Sequence, residues 1–336
     1  MVVGLGLVLF AVLLGPILLK PIEQNLEIFF LGAGAFASAL AGKWGKDLLH
    51  AALTEPIALT IAVLVFGIVA RLMRPLLDRE VESLVKVVKP RWIYFGMIIA
   101  LGLLSSVITA VIAALILVEA IALLKLDRRS EIAAVVLACF AIGLGAALTP
   151  VGEPLSTIAI ASLRADFWYL VRLLGPLVIV GIVVLGALSL LLPAKYGHSL
   201  NAELHTEGWT EIGARAAKVY LFVAGLVGLS WGLRPLVDEY ITRMPHWALF
   251  WLNSISAIVD NATLTAAEIG PALTPTQQRA VLMGLLISGG MLIPGNIPNI
   301  VAAGRLGISS REWARVGLAA GLPLMILCFG VLHWLG

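Results

Sequence analysis

The sequence predicts an all-α polytopic membrane protein, built as an inverted structural repeat with two re-entrant helical hairpins and two broken transmembrane helices. Three observations carry that prediction. The 336 residues are 60% hydrophobic and only 13% charged, where a soluble domain has roughly 25% charged residues. Polar and proline-containing stretches interrupt the apolar runs instead of merely separating them. Finally, a set of short motifs recurs in the same order in the two halves of the chain.

Residues 1–50 are expected to form N-terminal scaffold helices, spanning at Val2–Leu19 and Leu26–Ala41. The opening Met1-Val-Val-Gly-Leu lacks a charged region and an A-x-A cleavage site, so it reads as a retained helix rather than a signal peptide. Repeat 1 occupies 51–193. A span over Ala52–Leu72 leads into residues 74–89, where Leu77, Val81, Leu84, Val85 and Val88 form one apolar stripe, the pattern of a helix lying in the interface. Residues 92–124 are too long for one crossing and are interrupted at Ser105-Ser106-Val-Ile-Thr109, which predicts a hairpin entering and leaving on one face. Residues 132–163 break at Thr149-Pro150-Val-Gly152-Glu153-Pro154, because two prolines four apart around a glycine cannot continue a helix. Trp168–Leu192 spans again. Residues 194–211 form the longest polar connection and read as a cytoplasmic linker.

Repeat 2, residues 212–336, follows the same order. A span over Ile212–Leu233 and a short polar segment over Arg234–His246 precede a hairpin at 247–271. A broken helix at 280–303 is interrupted at Pro294-Gly295-Asn296-Ile-Pro298, and Val316–Trp334 closes the chain. Across the halves, Arg74-Pro-Leu-Leu-Asp78 answers Arg234-Pro-Leu-Val-Asp238. Ser105–Ala110 answers Ser256–Asn261, and Gly175-Pro176 answers Gly321-Leu-Pro323. An odd number of crossings per half inverts the second copy. If the first hairpin opens to the cytoplasm, 16 of the 23 basic residues lie on that side. The outer side then keeps Lys43, Lys46, Arg164, Arg172, Arg234, Arg243 and Arg279, with both termini outside. Trp44, Trp92, Trp168, Trp231, Trp247, Trp313 and Trp334 fall near span ends, as an aromatic belt would.

Polar side chains are costly in hydrocarbon, so those inside the interrupted elements are the candidate site. The second hairpin offers Ser256, Asp260 and Asn261; the first offers Ser105 and Thr109, with a hydroxyl where the second has its acid. The breaks offer Glu153 on one side, Asn296 and Asn299 on the other. Secondary candidates are Ser106, Thr149, Ser156, Thr157, Thr263, Glu119 and Glu268. Asp260 and Glu153 are the only acids at these motif positions, and no Lys or Arg falls among them. Carboxylates among hydroxyls, amides and freed carbonyls suit a small cation such as Na⁺, or a proton; no organic cofactor and no transition metal is implied.

Other readings stay open. An anion permease would rely on helix N-termini, and an intramembrane enzyme would use Asp260 and Glu153 as an acid/base pair. A channel is a further alternative. The two cysteines, Cys139 and Cys328, read as small hydrophobes. There is no phosphate-binding loop to couple transport to a nucleotide. The net charge of +3 is not clustered, so the expected partners are the bilayer and a small inorganic ion, not nucleic acid.

At these residues the chain resembles the ion transporter superfamily, which includes arsenite-efflux, dicarboxylate and NhaD-type sodium/proton permeases. The likeness runs over roughly Glu55–Trp334 and is most local at Ser256-Ala-Ile-Val-Asp260-Asn261. As a whole the chain is most similar to a family of short predicted cation transporters. The resemblance implies two hairpin tips and two unwound loops around the ion. It also implies elevator-type movement of that core against a scaffold, a homodimer, and a place in a prokaryotic cell membrane. Asp260 and Asn261 match the superfamily's signature, whereas Thr109 and Ala110 stand where many relatives carry Asp and Asn. The expected function is secondary antiport of a monovalent cation against protons.

Overall fold

A computed structural model describes residues 2–19, 21–22, 25–57, 60–61, 64–65, 68, 72, 90–124, 126–191, 208–257 and 261–335. The expected interfacial helix at 74–89, most of the linker at 194–211, and Asp260 lie outside the described residues. So does the side chain of Thr263.

The described chain is all-α. Helices α1 (Val2–Leu18) and α2 (Leu26–Leu40) come first, followed by helical residues 46–57. The segment expected to form the first hairpin comprises α3 (Pro90–Ile108) and α4 (Ala110–Leu124), parted by Thr109 alone. The first broken helix is α5 (Arg128–Ala146) and α6 (Pro154–Leu163), and α7 (Tyr169–Ser189) follows. The second half opens with α8 (Trp209–Glu239). The segment expected to form its hairpin comprises α9 (His246–Leu252), a 3-10 turn (Asn253–Ala257) and α10 (Asn261–Glu268). Its broken helix is α11 (Pro275–Gly289) and α12 (Ile297–Leu306), and α13 (Ser310–Leu335) ends the fold. Among the described residues, α3, α5, α7, α8 and α13 are long and apolar enough to cross a membrane, as an integral membrane protein requires.

Proline explains where the breaks fall. Pro154 opens α6 and Pro298 sits in the first turn of α12, positions where a missing N–H costs no helical hydrogen bond. Both new helices are entered through an extended residue, Glu153 and Asn296 respectively. Elsewhere proline is carried inside a helix: the two repeated motifs place Pro176 within α7 and Pro323 within α13. Pro235 behaves the same way. The polar segment expected from Arg234 is instead a continuation of α8 to Glu239, since charged residues at the end of a long helix reach water without ending it.

Packing repeats between the halves. The first arm of each hairpin lies on the first piece of its own broken helix: α3 on α5, and α9 with the 3-10 turn on α11. The second arms are exchanged, α4 packing on α12 and α10 on α6. Helices α5 and α11 are enclosed on all sides, with nearly every residue from Ser130 and from Gln278 onward buried. They form the centre of the larger apolar core, which takes in α3–α7 and α9–α13, α10 through Leu264. A second, smaller core joins α1, α2 and α8 to Ile158 of α6 and to Ala262 and Ala266 of α10.

The smaller body is held by close backbone approach. A methyl group at Gly34 would strike the Gly225 carbonyl, and one at Gly232 would meet Ala37 and Ser38. The Ser38 hydroxyl donates to the Gly228 carbonyl at 2.6 Å, as small-residue helix interfaces allow. Trp44, Trp92, Trp168, Trp247 and Trp334 are exposed. Trp313 departs from the belt expected of it: it is fully buried and its indole N–H donates to the Gly290 carbonyl at 3.2 Å, capping the end of α11.

Candidate functional site: two hairpin tips and two helix breaks

The first hairpin tip is fastened to the first break by hydroxyls and backbone. Ser105, buried, donates to the Gly102 carbonyl at 2.7 Å and to the Ile142 carbonyl of α5 at 2.9 Å. The Thr149 hydroxyl donates to the Ser106 carbonyl. The Ala110 amide donates to the Gly152 carbonyl at 2.7 Å. Within the break, Ser156 donates to the Ala146 carbonyl at 3.2 Å and Thr157 to the Pro150 carbonyl at 2.6 Å. These carbonyls are the ones a helix interruption strands, and hydroxyls satisfy them. Each hydroxyl oxygen that gives its proton to a carbonyl keeps its lone pairs, which is the state in which it can ligate a cation. Ser106 is half-buried and donates to Leu103 of its own helix at 2.8 Å, which keeps it out of this tie.

Thr109 is the strained residue of the tip. Its φ is 72°, and it is almost fully buried. A β-branched residue in the left-handed region is a backbone outlier costing about 1–2 kcal/mol. Its hydroxyl accepts from the Ile112 amide at 3.4 Å, a weak cap for α4. Thr109→Gly is therefore expected to raise the stability of the purified protein by about 1 kcal/mol, since glycine relieves the strain and replaces the cap at a cost of a few tenths. Thermal unfolding in detergent measures this; a lowered midpoint contradicts the strain account.

The second half is less saturated. Asn299 donates to the Gly289 and Leu292 carbonyls at 2.8 and 2.9 Å, which fixes the end of α11 against the start of α12. Ser256 lies in the same knot, and Gly295 leaves no room for a side chain between the Ser256 and Gly289 carbonyls. The Asn296 amide Nδ2 lies against Gly143 of α5, where even a methyl group would collide with it, and Cys139 one turn earlier faces the Pro298 carbonyl. Ser105 of the first half and Asn296 of the second thus abut successive residues of α5, Ile142 and Gly143.

Several of these polar atoms are buried and, among the described residues, have no hydrogen-bond partner. They are Ser256 Oγ, Asn261 Nδ2, Asn299 Oδ1 and both amide atoms of Asn296. A buried polar atom without a partner costs about 1–3 kcal/mol, a cost that a bound ligand would relieve. Asn261 heads α10 and Glu153 is the N-cap of α6, two helices that pack on each other across the halves. Both residues are buried.

Glu119 is half-buried on α4, away from the tip. Glu268, two turns along α10 from Asn261, is buried and accepts from Asn253 Nδ2 at 2.8 Å. Asn253 is the polar residue that sequence reasoning missed. It bridges both arms of the second hairpin, donating also to Leu249, while its own carbonyl accepts from Ser288 of α11 at 2.6 Å. The signal was present, a carboxamide directly after the apolar run Trp247–Leu252.

No curated protein matches the chain. A family model described as "Protein of unknown function (DUF1646)" matches residues 2–335, nearly the whole sequence, and the chain belongs to that family.

Proposed function

We propose that this protein is a secondary transporter of a small monovalent cation, exchanging it for protons, with Asp260 and Glu153 as the ion- or proton-binding acids. Asn261, Thr109, Ser105, Ser256, Asn296 and Asn299 supply neutral ligands. The observation that carries the reading is Asn296: a buried carboxamide at a helix break, held against a glycine of the other half, with neither amide atom partnered among the described residues. A transported cation would satisfy the acceptor atoms among these groups, Asn296 Oδ1, Asn299 Oδ1 and Ser256 Oγ, transiently, which a structural hydrogen bond would not allow. We read the two halves as inverted copies with re-entrant hairpins, a reading supported by the exchanged packing of α4 on α12 and α10 on α6. The division into two apolar cores supports an elevator-like movement of the larger body against α1, α2 and α8, in a homodimer.

One observation favours a second reading, an anion permease. Helices α4, α6, α10 and α12 all begin at the tips and breaks, and their N-termini favour negative charge. One experiment separates the two. Protein reconstituted into liposomes with a trapped pH dye is given pulses of sodium, lithium and potassium, for wild type and for Asp260→Asn. The cation reading expects a cation-selective pH change that the substitution abolishes. Silence toward all three cations from folded protein turns the assignment to anion uptake.

A further inference from the structure

Away from the breaks, a cavity of ≈ 300 Å³ opens between α6, α8 and the residues around α2. Lys43, Arg164 and Arg234 line it, with Glu55 as its one acid and Ser162 and Ser230 as its hydroxyls. Their separations in sequence are large, and all three bases are among the seven that the charge bias assigns to one membrane face. Among the described residues none of the three is ion-paired, although pairs form readily elsewhere, as between Arg128 and Glu312 or Lys218 and Glu27. The two serine hydroxyls stand 3.0 Å apart. One proton serves that contact, and the other is left to donate into the cavity.

Arg164 adds an independent sign. It ends α6 in the left-handed region, φ 52°, where the matching helix of the other half, α12, ends on Gly307 at φ 60°. Glycine is at ease there and arginine is not. A guanidinium is thus kept at a strained position that the repeat elsewhere gives to glycine, and it lines the cavity.

We propose that this cavity is a binding site for a phosphate-type oxyanion, either free or as a phospholipid headgroup. Three bases against one acid leave an excess of positive charge that suits an anionic phosphate group. Guanidinium forks from Arg164 and Arg234 match paired phosphate oxygens, and Lys43 adds a point charge. The cavity lies where α6 meets the smaller body, so an occupant would bridge the two. Binding here does not rest on the transporter reading.

The test uses the purified full chain in neutral detergent. In one arm, inorganic phosphate replaces chloride at constant ionic strength while thermal unfolding is followed. In the other, phosphatidylglycerol is added against phosphatidylcholine, with native mass spectrometry to count retained lipid. Saturable stabilisation by phosphate identifies a free anion, and response to phosphatidylglycerol alone identifies a headgroup; either supports the site. Arg164→Gly is expected to weaken binding about tenfold, the loss of one charge-assisted contact, while folding at least as well as wild type because its strain is gone. Glu55→Gln is expected to tighten binding. Response to neither probe, or an Arg164→Gly titration indistinguishable from wild type, overturns the proposal. Either result leaves the cation assay unaffected, so the two readings fail separately.

Discussion

Gly145→Ala is expected to destabilise the protein by about 3 kcal/mol or more, the largest structural effect of any single methyl group here. The added carbon would land on the Gly102 carbonyl oxygen and within 2.8 Å of the Ser105 hydroxyl. Overpacking a core usually costs about 1–3 kcal/mol because side chains swing aside. At Gly145 the obstacle is backbone, and both helices are fixed: α5 is enclosed on all sides and α3 packs along it. Separating them also breaks the Ser105 bond to the Ile142 carbonyl of α5, which adds about 1 kcal/mol. Gly304→Ala is the control, since nothing lies within 4 Å of the site and alanine favours α12 by about 1 kcal/mol. Thermal unfolding of the two variants in one detergent should move in opposite directions. A Gly145→Ala protein as stable as wild type would mean that α3 and α5 do not approach so closely.

The interruptions were legible because their causes are local. Pro150, Pro154, Pro294 and Pro298 act through their own missing N–H groups, so the ends of α5 and α11 and the starts of α6 and α12 follow from a few residues. The polar residues of Ser105–Thr109 likewise mark where α3 gives way to α4, and Ser256 falls in the 3-10 turn that follows α9. What joins these pieces was not legible. The exchange of α4 and α10 onto α12 and α6 is a tertiary choice between apolar faces that look alike in sequence. Trp313 shows the same limit, for its position suits a membrane belt equally well until α11 is placed beside it. Asn253 was missed because a single carboxamide has no periodicity, and its importance comes from reaching Glu268 and Ser288 in other elements. The asymmetry between the halves was visible as Thr109 against Asp260, and the atoms on the second side that have no partner among the described residues extend it.

Asn296→Ala is expected to separate stability from function. Two amide atoms with no partner among the described residues leave with the side chain, relieving about 1–3 kcal/mol of desolvation each. The space left behind costs roughly 24 cal/mol per Å³ of residual cavity in the opposite direction. The unfolding midpoint should thus stay at the wild-type value or rise. Cation flux should fall by about one to two orders of magnitude, because a ligand bond to a charged partner is worth about 1.5–3 kcal/mol. A structural carboxamide gives the opposite pattern, with stability falling first and flux only in proportion to folded protein. Asn296→Asp then asks about the sign of the ion. It places a second acid beside Gly143, close to isosteric with the amide, at the start of α12 where the helix dipole tolerates negative charge. A cation carrier should keep or strengthen cation binding with that acid present, whereas an anion carrier should lose substrate almost completely to like-charge repulsion. Flux assays on the alanine and aspartate variants, each normalised to folded protein, decide between a cation and an anion at the same break.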